Sequence, residues 1–169
     1  MIVFGPVPSR RLGYSLGINN IPAKYCSYSC VYCQVGRTTH MTIDRQEFYP
    51  VDQILAEVGQ KVAEVAEAGK KIDYLTLVPD GEPTLDINLG KVIGGLKQFE
   101  IPVAVISNAS LIDRLDVQEE LMQADWVSLK VDSVDERVWR KINRPHRRLS
   151  LPRIHEGMFA FKQKYPGKL

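Results

Sequence analysis

The sequence predicts an α/β fold in which parallel strands form a partial (βα) barrel of the TIM type, with about four βα units. Four short strand-like segments alternate with helical patterns, which is typical of right-handed βαβ crossovers. The last three segments are rich in Val, Ile, Leu and aromatic residues without strict alternation, as in strands covered on both faces. Four strands are too few to close a barrel. The segments are residues 15–19, 74–78, 103–107 and 126–131.

Apolar residues at helical spacing predict helices between these segments and after the last of them. The clearest pattern covers residues 51–65, and Gly69 follows where a helix commonly ends. A second covers residues 89–99 and stops ahead of Pro102, which cannot continue a helix. The remaining helices are predicted at 117–124 with Asp116 as N-cap, at 138–142, and at 154–161 with Ser150 as N-cap.

Length and composition indicate one ordinary globular domain over residues 1–169. Of the 169 residues, 44% are hydrophobic and 25% are charged, and the net charge of +2 is too small to indicate a nucleic acid or a membrane as partner. The chain ends where the alternation would place a fifth strand, so we expect the domain to be truncated at its C-terminal end. No secretion signal or apolar membrane span is recognisable, and we expect a soluble cytoplasmic protein without a membrane partner.

The three cysteines of the chain, Cys26, Cys30 and Cys33, lie within one short loop. An odd number in one cluster indicates reduced thiols that hold a metal rather than disulfides. Three thiolates can bind three corners of a cubane iron–sulfur cluster and leave the fourth iron open to a small molecule. The alternative is a structural zinc site, for which His40 could supply the fourth ligand.

Two motifs together resemble a known family. Residues 26–33 read Cys-x3-Cys-Val-Tyr-Cys, which resembles the signature of the radical S-adenosylmethionine superfamily, and residues 79–84, Pro-Asp-Gly-Glu-Pro-Thr, resemble its Gly-Glu-Pro motif. Residues 5–13 and 141–145 resemble one branch of that superfamily, the iron–sulfur oxidoreductases related to the wyosine-forming tRNA enzymes. The resemblance runs over the whole chain.

The resemblance implies a [4Fe-4S] cluster on the three cysteines and S-adenosylmethionine chelated to the fourth iron. It implies that an electron, supplied by a donor of the flavodoxin or ferredoxin type, breaks a carbon–sulfur bond of S-adenosylmethionine. Methionine and a 5′-deoxyadenosyl radical result, and the radical abstracts hydrogen from a substrate, for which a tRNA base is the named candidate. The alternative is a module that binds iron–sulfur or zinc without catalysis, or an inactive fragment.

The resemblance also assigns cofactor contacts by position in the motifs, and it assigns no further catalytic residue. All the assigned segments follow strands, so they should share one edge of the sheet. The contacts are Tyr32 near the adenine, Gly81, Glu82 and Pro83 against the methionine ammonium mainly through backbone carbonyls, and Ser107, Asn108 and Asp132 towards the carboxylate and ribose.

The chain departs from the family pattern in two places. Asp80 stands where the family usually has the first Gly of Gly-Gly-Glu, and Asp tolerates a left-handed backbone there better than most residues. Family barrels usually have six strands, and the last two would lie beyond Leu169.

The segment from Arg137 to Arg148 is strongly basic and contains no acidic residue. It fits a surface that binds RNA or another anionic substrate, and Arg10 and Arg11 could extend it. The alternative is a solvated helix face. Trp126 and Trp139 are predicted to fill the core rather than stack on bases.

Overall fold

The computed structural model describes residues Met1 to Leu169 and contains one mostly parallel sheet of five strands. In chain order the strands are β1 (Val3–Ser9), β2 (Gly13–Ile18), β3 (Tyr25–Cys26), β4 (His40–Met41), β5 (Tyr74–Leu77), β6 (Val103–Ser107) and β7 (Trp126–Leu129). The sheet has the order β1-β2-β5-β6-β7, and only β1 and β2 pair in antiparallel fashion. The short strands β3 and β4 pair with each other beside it.

Five α-helices accompany the sheet. They are α1 (Val51–Glu67), α2 (Leu89–Leu96), α3 (Leu115–Leu121), α4 (Glu136–Asn143) and α5 (Leu151–Lys164), and short 3-10 turns cover Pro83–Leu85 and Lys97–Phe99. Gly69 adopts a left-handed backbone with φ of 65° just after α1, and Ser150 occupies the N-cap position of α5, both as predicted. None of the helices is both long enough and apolar enough to cross a membrane.

The predicted open α/β barrel is confirmed. Strands β2, β5, β6 and β7 coincide with the four predicted segments, they run parallel, and the sheet does not close. After α5 the chain returns to the free edge of β7, where Lys168 forms a parallel bridge with Trp126.

Two sequence predictions of local structure are wrong. Strand β1 was not predicted, because Pro6 and Pro8 break the strand pattern; proline is tolerated here because β1 is an edge strand. Asp116 does not cap α3, since Arg114 occupies the N-cap position and Asp116 lies in the first turn. Its carboxylate forms ion pairs of 2.9 Å with Arg45 and Arg114, and its pKa is lowered chiefly by the hydrogen bond from Arg114.

The main hydrophobic core lies between the sheet and the helices. It contains alternate strand residues such as Leu16, Leu75 and Val103, which are fully buried. Trp126 and Trp139 are also buried, as predicted, and the Trp139 indole donates to the Tyr28 hydroxyl at 3.2 Å. Helices therefore cover one face of the sheet.

Candidate functional site

The loop after β5 is clamped against the cysteine loop, which we define as residues 25–36. The Lys24 amide donates to the Asp80 carbonyl at 2.7 Å, and the Glu82 amide donates to the Tyr25 carbonyl at 3.1 Å. A Cβ atom on Gly81 would lie 2.1 Å from the Tyr25 carbonyl oxygen, so only glycine allows this approach. Asp80 is not left-handed, and its substitution for glycine needs no special backbone conformation.

Glu82 is directed inward and joins the loop after β5 to the end of β6. Its Oε1 accepts hydrogen bonds from the Thr84 amide at 3.1 Å, the Thr84 hydroxyl at 2.6 Å and the Ser107 hydroxyl at 2.7 Å. Its Oε2 accepts from the Asn108 amide at 2.7 Å. Burial raises the pKa of Glu82, and these hydrogen bonds oppose that rise. Both carboxylate oxygens are thus used within the protein, whereas no donor reaches the Gly81 carbonyl.

Asn108 connects the end of β6 to the first cysteine. Its Nδ2 donates to the Ser27 hydroxyl at 3.0 Å and lies 3.5 Å from the Cys26 sulfur, while its Oδ1 accepts from the Ser110 amide at 2.9 Å. The hydroxyls of Ser27 and Ser110 share a further hydrogen bond of 2.6 Å. The end of β6 therefore fixes the cysteine loop at Cys26 and Ser27.

The three cysteines are free thiols with unequal exposure. Cys26 and Cys30 are half-buried and Cys33 is exposed. Burial, and next the negative charge of Glu82, raise the pKa of Cys26 to about 12. Such a thiol remains protonated at neutral pH unless a bound metal displaces the proton.

The three thiols do not form a ligand set for a single metal ion. No three His, Cys, Asp or Glu side chains converge as ligands of one metal ion. The ring of His40 instead stacks on Tyr25, with ring centres 4.2 Å apart. A closed zinc site requires four ligands around one ion and finds no support here. A cubane cluster binds each thiolate through a different iron, so its three cysteine ligands need not converge on one point.

Tyr32 and Asp132 meet across the site. The Tyr32 hydroxyl donates to the Asp132 carboxylate, and burial together with that contact raises the pKa of Tyr32. The Lys130 ammonium lies 4.1 Å from the centre of the Tyr32 ring, which is half exposed. The end of β7 is thereby joined to the cysteine loop.

Sequence reasoning missed Asn143, whose Nδ2 lies 3.3 Å from the Cys30 sulfur and 2.5 Å from Asp132 Oδ2. In the sequence, residues 141–145 indicate only a resemblance to one branch of the superfamily. A sequence pattern does not show that the end of α4 reaches a cysteine more than a hundred residues earlier.

The basic segment 137–148 and a cavity along β7 and α5 lie in different places. Arg140 pairs with Glu136 at 2.8 Å and Arg148 with Asp44 at 3.8 Å. The exposed cations of this segment without an ion pair are Arg137, Lys141, Arg144 and Arg147. The cavity, of about 850 Å³, runs along β7 and α5, and it is lined by Arg10, Arg11, Lys162 and Lys168 but by no residue of the basic segment.

Comparison with solved structures confirms the architecture. A structure of TYW1 with a lysine-pyruvate adduct bound superposes with a TM-score of 0.57 at 17% identity, over 87% of this chain and 50% of the other. Streptococcus suis SuiB bound to S-adenosylmethionine superposes with a TM-score of 0.57 at 15% identity, over 85% of this chain and 30% of the other. At such identities the likeness concerns the fold.

Comparison of sequences shows the family. The UPF0026 protein MJ1312 of Methanocaldococcus jannaschii is 58% identical over 168 residues, which make up 99% of this chain and 52% of that protein. The chain thus spans about half the length of this relative. The sequence profile of the Radical SAM superfamily matches residues 20–157, which include the cysteine loop and the ends of β5, β6 and β7. The chain belongs to the radical SAM superfamily.

Proposed function

We propose that the chain binds a [4Fe-4S] cluster through Cys26, Cys30 and Cys33 and cleaves S-adenosylmethionine reductively. The observation that carries the proposal is the attachment of three strand ends to one cysteine loop. Asn108 of the β6 end and Asn143 of α4 direct amide donors at two of the three sulfurs. Hydrogen bonds to sulfur are typical of protein-bound iron–sulfur clusters.

A [4Fe-4S] cluster held by Cys26, Cys30 and Cys33 would supply the electron for reductive cleavage of S-adenosylmethionine to methionine and a 5′-deoxyadenosyl radical, which would take hydrogen from a substrate. The residues of the chain hold the cofactor in place for this step. The unpaired Gly81 carbonyl suits the ammonium of the cofactor, and Glu82 fixes the loop that carries it. Tyr32 offers a half-exposed ring to the adenine, held by Asp132. Exposed Cys33 lies where a flavodoxin- or ferredoxin-type donor can approach.

The metal content and the products test this proposal. After anaerobic reconstitution, the protein should hold about four iron per chain. Under a strong reductant it should release methionine and 5′-deoxyadenosine from S-adenosylmethionine in equal amounts, measured by liquid chromatography. Stoichiometric zinc with no uptake of iron would contradict the proposal.

We further propose that the substrate is an RNA, which the basic segment 137–148 contacts. Four of its cations are exposed and have no acidic partner, and the same segment hydrogen-bonds to the cysteine loop. A polyanion bound there would therefore lie beside the site. Cations that neutralise phosphates release counterions, so the affinity depends on salt.

Neutralising three arginines tests the RNA proposal. The variant with Arg144, Arg147 and Arg148 changed to Gln should bind tRNA more weakly, and the slope of log K against log salt should fall by about 2 to 3. Fluorescence anisotropy at several salt concentrations measures both. The matched control changes the exposed Lys70, Lys91 and Lys97 to Gln. Equal affinities and slopes for the three proteins would identify the segment as solvated surface.

A further inference from the structure

The end of α4 and the residues after it form a support for the cysteine loop. Four backbone hydrogen bonds join the two segments. The Val31 amide donates to the Ile142 carbonyl at 2.9 Å, and the Ser29 amide donates to the carbonyls of Asn143 at 3.0 Å and Arg144 at 3.2 Å. In the other direction, the His146 amide donates to the Ser27 carbonyl at 2.8 Å. The last carbonyls of a helix have no partner within it, and here the cysteine loop supplies two of the missing donors.

Asn143 adds a side-chain contact at the centre of this support. It is 1% exposed, and its Nδ2 lies 2.5 Å from Asp132 Oδ2, 3.3 Å from the Cys30 sulfur and 3.3 Å from the Tyr32 hydroxyl. One of its two hydrogens is directed at the carboxylate, and the other is shared between the sulfur and the hydroxyl oxygen. The reversed amide would place an oxygen against the carboxylate and the sulfur. The donor end therefore faces Cys30.

The other end of the same amide has no role within the protein. Asn143 Oδ1 is buried and has no hydrogen-bond partner. Buried polar atoms are normally paired, so an orphaned acceptor requires an explanation. The contacts of Nδ2 with the carboxylate and the sulfur explain why Oδ1 lacks a partner, because they fix the amide in this orientation.

We infer that Asn143 is a positioning residue for the cluster ligand Cys30 and raises the reduction potential of the cluster. The inference rests on the proposed function. Reduction adds negative charge to the cluster and its thiolates, and an N–H group directed at a ligand sulfur stabilises that charge. Asp132 accepts from both the Asn143 amide and the Tyr32 hydroxyl and holds the amide in place. Asn108 makes a longer contact of the same kind with Cys26, at 3.5 Å.

Replacement of Asn143 by Leu tests the inference, because Leu has a similar size and no donor. The reconstituted variant should hold the same amount of iron as the native protein, and its midpoint potential should be more negative. A redox titration followed by electron paramagnetic resonance, without S-adenosylmethionine, measures this shift independently of activity.

Asn20 provides the matched control. It is also fully buried, its Nδ2 donates to the Pro83 carbonyl and to Asp86 at 3.1 Å each, and its Oδ1 has no partner, but no cysteine lies in contact with it. Asn20→Leu should lower the melting temperature, as Asn143→Leu should, while its midpoint potential should stay native. An equal shift in both variants, or a native potential in Asn143→Leu, would overturn the inference.

If Asn143→Leu assembles no cluster, a second variant tests the role of Asn143. Asn143→Ala removes the donor and adds no charge beside Asp132, so its potential should also be more negative than the native value, and a native value would refute the role of Asn143. A native protein that assembles no cluster would overturn the proposed function, and this inference with it. A native protein with a cluster and an insensitive potential would overturn this inference alone.

Discussion

Replacing Cys33 with Ala is expected to abolish reductive cleavage of S-adenosylmethionine and to leave the fold intact. The Cys33 side chain is exposed, so its loss should change the free energy of unfolding of the apoprotein by no more than about 0.5 kcal/mol. The backbone hydrogen bond from the Cys33 amide to the Cys30 carbonyl, 3.1 Å long, does not involve the sulfur. Without its thiolate, however, one iron of the cluster has no ligand. Iron content and released 5′-deoxyadenosine measure the loss.

Val31 supplies a control in the same loop. Its side chain is 54% exposed, and Val31→Ala should retain both the iron and the cleavage. If Cys33→Ala still produced 5′-deoxyadenosine at the native rate, the assignment of the three cysteines as cluster ligands would be wrong. If Val31→Ala also lost the iron, the effect of Cys33→Ala would reflect disturbance of the loop rather than loss of a ligand.

Periodicity predicted the parallel strands because each carries the apolar residues that burial requires. Strand β6 has the predicted bounds, and β5 and β7 begin where predicted. Strand β1 could not be predicted, because its two prolines are acceptable only at a sheet edge and a sequence pattern does not show which strand lies at the edge. Likewise, an acidic residue near a helix start predicts a cap, but Asp116 instead pairs with Arg45, a residue distant in sequence.

In parallel α/β folds, sites form at the carboxyl ends of the strands. This rule correctly predicted that the site segments would share an edge, because it depends only on strand direction. It does not determine side-chain orientation. The hydroxyl of Ser107 donates to Glu82, and the Asn108 side chain contacts Cys26 and Ser27. These contacts depend on the packing of loops that are far apart in sequence. The residue types at the site were thus predictable, whereas their partners required the structure.

Replacing Glu82 with Gln is expected to destabilise the protein even before any cofactor is bound. Each carboxylate oxygen accepts a hydrogen bond from a backbone amide, Oε1 from Thr84 and Oε2 from Asn108. The amide nitrogen of Gln must face one of these two fixed N–H groups in either orientation. One buried donor then lacks an acceptor, which costs about 1–3 kcal/mol. Urea denaturation of the apoprotein measures the cost.

The same variant separates two roles of Glu82. If the carboxylate served only to contact the methionine ammonium, Glu82→Gln would weaken binding of S-adenosylmethionine and leave the stability of the apoprotein unchanged. The carboxylate instead accepts hydrogen bonds from Thr84, Ser107 and Asn108. The stability of the apoprotein and its affinity for S-adenosylmethionine should therefore fall together, because the loop that carries the Gly81 carbonyl loosens. Glu119→Gln, at an exposed position on α3, should change neither by more than about 0.5 kcal/mol. Weaker binding with native stability would restore the direct role and exclude the positioning role.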